Sequence, residues 1–194
     1  MEKKLATEVE ELKVTYPDAE IQLWCEDEHR LGLKPIIRRI YVPEGETPIA
    51  NVNWRFKWLW LYAFVHPKTG ETYWWILPYV NTELFNQVLA DFAREFELGA
   101  KKHILLAVDR AGWHISHDLK IPEGLHLTLL PSHSPELQPA ERLWTLVDEP
   151  IANQSFKTLD DLEEVLFQRC QSLLQMKDFI QGLTGFHWWI KIGV

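Results

Sequence analysis

Residues 103–108 (His-Ile-Leu-Leu-Ala-Val) form a nearly continuous apolar run that ends directly on an acid, Asp109. A run this short, with no polar alternation, reads as a strand buried on both faces, which calls for layers packed on either side of a sheet. Leu125 to Leu130 reads as another buried strand. The covering layers are also legible. Residues 82–98 carry Leu84, Phe85, Val88, Leu89, Phe92 and Phe96 at helical spacing, with Asn81 or Thr82 as cap and Gly99 at the end. Residues 2–15 place Leu5, Val9 and Leu12 on one helical face, and a last helix is expected over about 159–174.

Other strands are expected at Ile21–Cys25, before three acids, and at residues 36–42, before the Pro43–Glu46 turn. A hairpin is expected from residues 52–65 and 72–77 around the turn at Pro67–Gly70. A helix opens at Pro139 and carries Ala140, Leu143, Trp144 and Val147. The tail with Trp188 and Trp189 has no assignment; it is either a packing anchor or a partner surface. A meander of strands followed by alternating helices and strands predicts an α/β fold, a mixed sheet of about five strands with helices on both faces. The 194 residues fit one domain, 1–194, with its core over about 20–175.

Composition narrows the function. Apolar residues make up 46% of the chain, and no run reaches the roughly 18 residues of a membrane span. Behind Lys3 and Lys4 there is no apolar leader, so a cytoplasmic location is expected. Cys25 and Cys170 are too few for a disulfide framework and read as small buried hydrophobes. His66, His117 and His133 lack metal-ligand spacing, which disfavours zinc. The net charge of −8 counts against a stand-alone nucleic-acid binder, although carboxylates gathered at a metal site lower the total without repelling DNA once cations are bound.

Asp27 and Asp109 each follow closely on an apolar run. If those strands are parallel neighbours, the two carboxylates come together, a costly arrangement unless a cation neutralises it. Mg2+ needs only one or two carboxylates plus phosphate and water. Glu141 lies in the first turn of the Pro139 helix, where the helix dipole favours an acid. Taken singly, each has an ordinary explanation: Asp27 and Asp109 as turn-forming aspartates, Glu141 as a helix-start acid.

The blocks Trp-Cys-Glu-Asp-Glu (24–28), Asp-Arg-Ala-Gly-Trp-His (109–114) and Leu-Pro-Ser-His-Ser-Pro-Glu-Leu-Gln-Pro-Ala-Glu-Arg-Leu-Trp (130–144) change that. In this order, and with the segment Arg38–Pro48, they resemble the catalytic domain of mariner-like DDE transposases of the bacterial insertion-sequence branch. The resemblance covers about residues 20–170 and implies a ribonuclease H-like fold. It implies that Asp27, Asp109 and Glu141 are the metal-binding catalytic acids, holding two Mg2+ ions, with Mn2+ as a substitute, for in-line attack at phosphorus. The implied partners are the DNA of transposon ends and target, and a second copy of the chain when assembled on DNA. The chain departs from the family pattern at Arg110 and Gln138, where relatives often carry Asn, and in a shorter stretch between Asp109 and Glu141.

Only about 20 residues precede the first expected strand, too few for the helix-turn-helix modules with which such transposases read DNA. A catalytic domain alone is therefore expected, either truncated or the second frame of a split gene, with an upstream helix-turn-helix protein or frame as a candidate partner. Glu28, Arg30, Arg38, Arg39, Arg110 and His114 are candidates for assisting the site or contacting DNA. As strand neighbours of Asp27, Glu26 and Glu28 are expected to point away from it. A ribonuclease H-like nuclease with another nucleic-acid substrate, and a non-catalytic remnant acting as a binding module, remain open as alternatives.

Overall fold

The computed structural model describes residues 1–47, 49, 54–132 and 134–192. Pro48, the first two residues of the 52–65 stretch and His133 lie outside the described residues. The elements, in chain order, are α1 (Glu2–Thr15), β1 (Glu20–Gly32), β2 (Trp58–His66), β3 (Glu71–Leu77), α2 (Thr82–Glu95), β4 (Lys102–Val108) and β5 (Leu125–Leu129). Two 3-10 turns, Pro135–Leu137 and Pro139–Leu143, then lead into α3 (Trp144–Val147), α4 (Leu159–Leu174), α5 (Lys177–Thr184) and α6 (His187–Ile192).

Five strands form one mixed sheet in the order β3-β2-β1-β4-β5. β1 runs antiparallel to β2 and parallel to β4, and β4 runs parallel to β5. Alternation along β1 sorts the core into two layers. Ile21, Leu23 and Cys25 face one way, into a cluster with Leu5, Val9, Leu143, Trp144, Leu166, Ile180 and Trp189 from the helices of that side. Trp24 faces the other way and packs with Phe85, Val88, Leu89 and Phe92 of α2. Helices thus cover both faces, and Ile104, Leu106 and Val108 of β4 are fully buried, as their unbroken apolar run requires.

Three expectations need correction. β1 does not stop at Cys25 but continues to Gly32, because β2 goes on pairing with it from Cys25↔Val65 to Gly32↔Trp58. Asp27 is therefore inside a strand and not at its end. The charged stretch 26–30 hid that continuation. Residues 36–42 form no strand; Ile37, Ile40 and Tyr41 are exposed, since β2 already occupies the β1 edge. This segment is held instead by Asn153, whose backbone N–H donates to the Ile36 carbonyl at 2.8 Å and whose side-chain Oδ1 accepts from the Arg38 N–H at 2.9 Å. The hairpin strand begins at Trp58, later than the aromatic stretch suggested.

The tail resolves into α5 and α6, and Trp189 is a packing anchor with 1% exposure. The hairpin turn also rests on α5. Gly70 has φ +70°, and a Cβ there would lie 1.9 Å from the Lys177 carbonyl oxygen, so only glycine fits.

Candidate active site

Parallel pairing of β1 with β4 ends at Cys25↔Ala107. Two residues further along each chain stand Asp27, still within β1, and Asp109, just past the end of β4. Beyond this point β1 continues with β2 alone, at the carboxyl end of a parallel strand. Glu141 comes to it from the Pro139–Leu143 turn. That turn is tied to β1 twice. Trp144 Nε1 donates to Asp27 Oδ2 at 2.8 Å, and Gln138 Nε2 donates to the Glu26 carbonyl at 2.7 Å. Trp144 lies three residues after Glu141, on the same helical face.

Electrostatics show that the three acids share one region. Burial, then Glu141, push the Asp27 carboxyl up to about 8, against the opposing hydrogen bond from Trp144. Glu141 is raised by burial and by Asp109, with His29 acting against it. Asp109 is lowered, first by its hydrogen bond with His114 and then, against burial, by the Ala111 N–H. Among the described residues no lysine or arginine forms an ion pair with these acids. They do not form a tight cluster themselves. The group whose ligand atoms lie within 4.8 Å of one another is Glu26, Glu28 and His114.

That second group sits on the opposite face of β1, under α2. His114 is buried, and although burial pulls its pKa down, hydrogen bonds with Asp109 and Glu28 outweigh this and raise it to about 11, which favours the charged form. Its Nδ1 donates to Asp109 Oδ1 at 2.8 Å and its Nε2 to Glu28 Oε1 at 3.1 Å. Glu28 Oε1 also accepts from Trp113 Nε1 at 2.6 Å. Glu26 is fully buried, 3.5 Å from His114 Nε2; burial, then Glu28, raise its pKa well above the usual carboxylate range.

The basic candidates are mostly engaged elsewhere. Arg30 lies over the Trp58 ring at 4.8 Å, Arg38 pairs with Asp148 at 3.3 Å, and Arg110 Nε donates to the Leu130 carbonyl at 3.2 Å. Arg39 is exposed. Sequence reasoning missed Trp144 and Gln138 as the ties that dock Glu141, and Asp148, which accepts from His29 and Arg38. The i, i+3 spacing of Glu141 and Trp144 was the available signal for the first of these.

The family model of the DDE superfamily endonuclease matches residues 22–163. The chain belongs to the DDE endonuclease superfamily. A relative among curated proteins, the uncharacterized protein y4pE/y4sA of Sinorhizobium fredii, is 38% identical over 106 residues, 54% of this chain and 77% of the relative. Among solved structures, a pre-cleavage Mos1 transpososome matches with a TM-score of 0.62 at 14% identity, over 100% of this chain and 61% of the Mos1 chain. The Mos1 strand transfer complex gives 0.58 at 16% identity, over 100% of this chain and 62% of that one. The catalytic domain of Mos1 mariner transposase alone gives 0.54 at 13% identity, over 99% of this chain and 93% of that domain. The DDE chain described here thus has the ribonuclease H-like fold of that domain and spans about six tenths of the length of the Mos1 chains in the complexes.

Proposed function

We propose that this chain is the catalytic part of a transposase, in which Asp27, Asp109 and Glu141 hold divalent cations for DNA strand cleavage and strand transfer. The observation that carries the reading is the parallel register of β1 and β4. It puts two aspartates from distant parts of the sequence two residues beyond the last paired position of neighbouring parallel strands, near a docked helical turn bearing a third acid. The donor set fits a hard cation: oxygen ligands only, with no lysine or arginine compensating them among the described residues. Burial, and then the neighbouring Glu141, hold Asp27 up at about 8, and a bound cation would relieve both.

Two Mg2+ ions, or Mn2+ in their place, would supply Lewis-acid charge stabilisation and a more acidic attacking hydroxyl. The protein's own part is placement. Trp144 fixes Asp27 Oδ2, and the Ala111 N–H and His114 together occupy Asp109 Oδ1, which leaves Asp109 Oδ2 toward the half-exposed side. A water, and then a DNA 3′-hydroxyl, attacks in line at phosphorus while the ester oxygen opposite leaves.

The Mos1 structures that match include complexes with Mn and with Mg, and one with a transposon end, which supports divalent cations and DNA as this chain's partners. No helix among the described residues is long and apolar enough to cross a membrane, in keeping with action on DNA in the cytoplasm. Two copies of the chain would pair when assembled on DNA, and a helix-turn-helix protein or frame would read the DNA ends. Exposed Arg39 is a candidate for backbone contact.

The test is Mg2+-dependent cleavage and joining of a DNA strand by the full chain, with any upstream partner supplied, against Asp109→Ala. The expected outcome is cleavage and joining by the wild type alone. Equal activity in the variant, or hydrolysis of an RNA–DNA hybrid without strand joining, would overturn it.

A further inference from the structure

We propose that His114, seated on Glu28 and Glu26 beneath the sheet, is the positioning residue that fixes the orientation of Asp109. This rests on the reading of Asp109 as a cation ligand. Asp109 is the first residue after β4, and its side chain is 53% exposed. Nothing in the strand ladder fixes a carboxylate there. The two donors that do, the Ala111 N–H at 2.7 Å and His114 Nδ1 at 2.8 Å, both fall on Oδ1. The His114 N–H closes the same turn onto the Ala111 carbonyl at 3.0 Å. One oxygen is therefore immobilised, and the other is free for a ligand role.

The imidazole can do this only if it is itself rigid, and the back of β1 supplies the rigidity. Its side chain has no exposed surface, and its ring lies 4.5 Å from that of Phe85 on α2. Its far nitrogen is held by Glu28, which Trp113 fixes in turn. Glu26 adds a second buried carboxyl beside the ring, with no hydrogen bond to either of its oxygens. Burying an uncompensated carboxyl costs stability, and packed apolar side chains would do better. A group kept there at such a cost, next to the side chain that holds Asp109 together with the Ala111 N–H, belongs to placement of the site. Partners behind a ligating side chain commonly change metal affinity by roughly 10- to 100-fold when removed.

The experiment compares wild type, His114→Ala, His114→Gln, Glu28→Gln and Asp109→Ala as full chains. Mn2+ binding is measured by electron paramagnetic resonance titration, and strand cleavage is followed as a function of Mn2+ concentration. The expected result is a roughly 10- to 100-fold weaker Mn2+ affinity for His114→Ala, with cleavage recovered at high Mn2+. Glu28→Gln should show a smaller loss in the same direction, and it keeps the argument testable if neither His114 variant folds. Asp109→Ala should show no recovery at any concentration. Wild-type Mn2+ dependence in folded His114 and Glu28 variants, with Asp109→Ala impaired, overturns the positioning role alone. Wild-type Mn2+ binding by Asp109→Ala overturns the underlying site.

Discussion

Three successive acids of β1, Glu26, Asp27 and Glu28, meet opposite fates on the two faces of one strand. Asp27 faces the Trp144 side, held by one indole donor and pushed up by burial and then by Glu141. Glu26 and Glu28 face inward under α2, around a buried imidazolium. The front collects negative charge without a counter-ion. The back has its counter-charge built in. Period-two alternation is enough to separate the face proposed to take cations from a face whose charges are already partnered, with a single residue between them.

The largest effect expected from breaking this division is at the front. Asp27→Asn should lower metal-dependent cleavage by roughly a thousandfold or more, since several kcal/mol of charge stabilisation are lost. The same change should leave the cation-free protein as stable or slightly more so above pH 8, because it replaces a carboxyl that burial and Glu141 make costly to ionise. A cleavage assay beside a thermal melt in chelator checks both. At the back the balance reverses. Glu28→Ala leaves the Trp113 indole and the His114 imidazolium short of a partner and should cost about 3 kcal/mol in denaturant unfolding, as for one partner removed from a buried pair.

The two faces should also separate by pH in cation-free protein. Asp27 is raised from 3.8 to about 8, so the folded state binds its proton more tightly, and stability falls as pH rises from near 4 through 8. His114 is raised from 6.5 to about 11; its contribution is complete below 6.5 and is lost as pH rises through 11. Unfolding free energy followed across pH should lose its lower segment in Asp27→Asn and keep the upper one. If it keeps both, the assignment of the front face is wrong. The smallest effect should come from Trp144→Phe, which removes one donor to Asp27 and should cost about 1 kcal/mol, read as a small drop in melting temperature.

Where burial followed a simple period, the sequence was readable. α1, α4, β4 and β5 lie close to where apolar spacing put them. The second half of β1 was hidden because its residues carry charge, with Glu26 and Glu28 answering to the buried imidazole. Residues 36–42 misled for the opposite reason: they have strand-like side chains but no sheet edge to join. At the site, motif order singled out Asp27, Asp109 and Glu141, and alternation gave the direction of Glu26 and Glu28. Their meeting with His114 was not legible, because it depends on how a loop folds back over the end of β4.

Where β4 leaves the sheet, the Glu26 carbonyl is met by the Gln138 amide. That side chain works as a length gauge. An asparagine in its place would reach about 1.5 Å less far, the length of one carbon–carbon bond. To keep the hydrogen bond, the Pro139 turn would have to move toward β1 and carry Glu141 with it. The distance between the third acid and the other two can therefore be tuned from a position that is not itself one of the three.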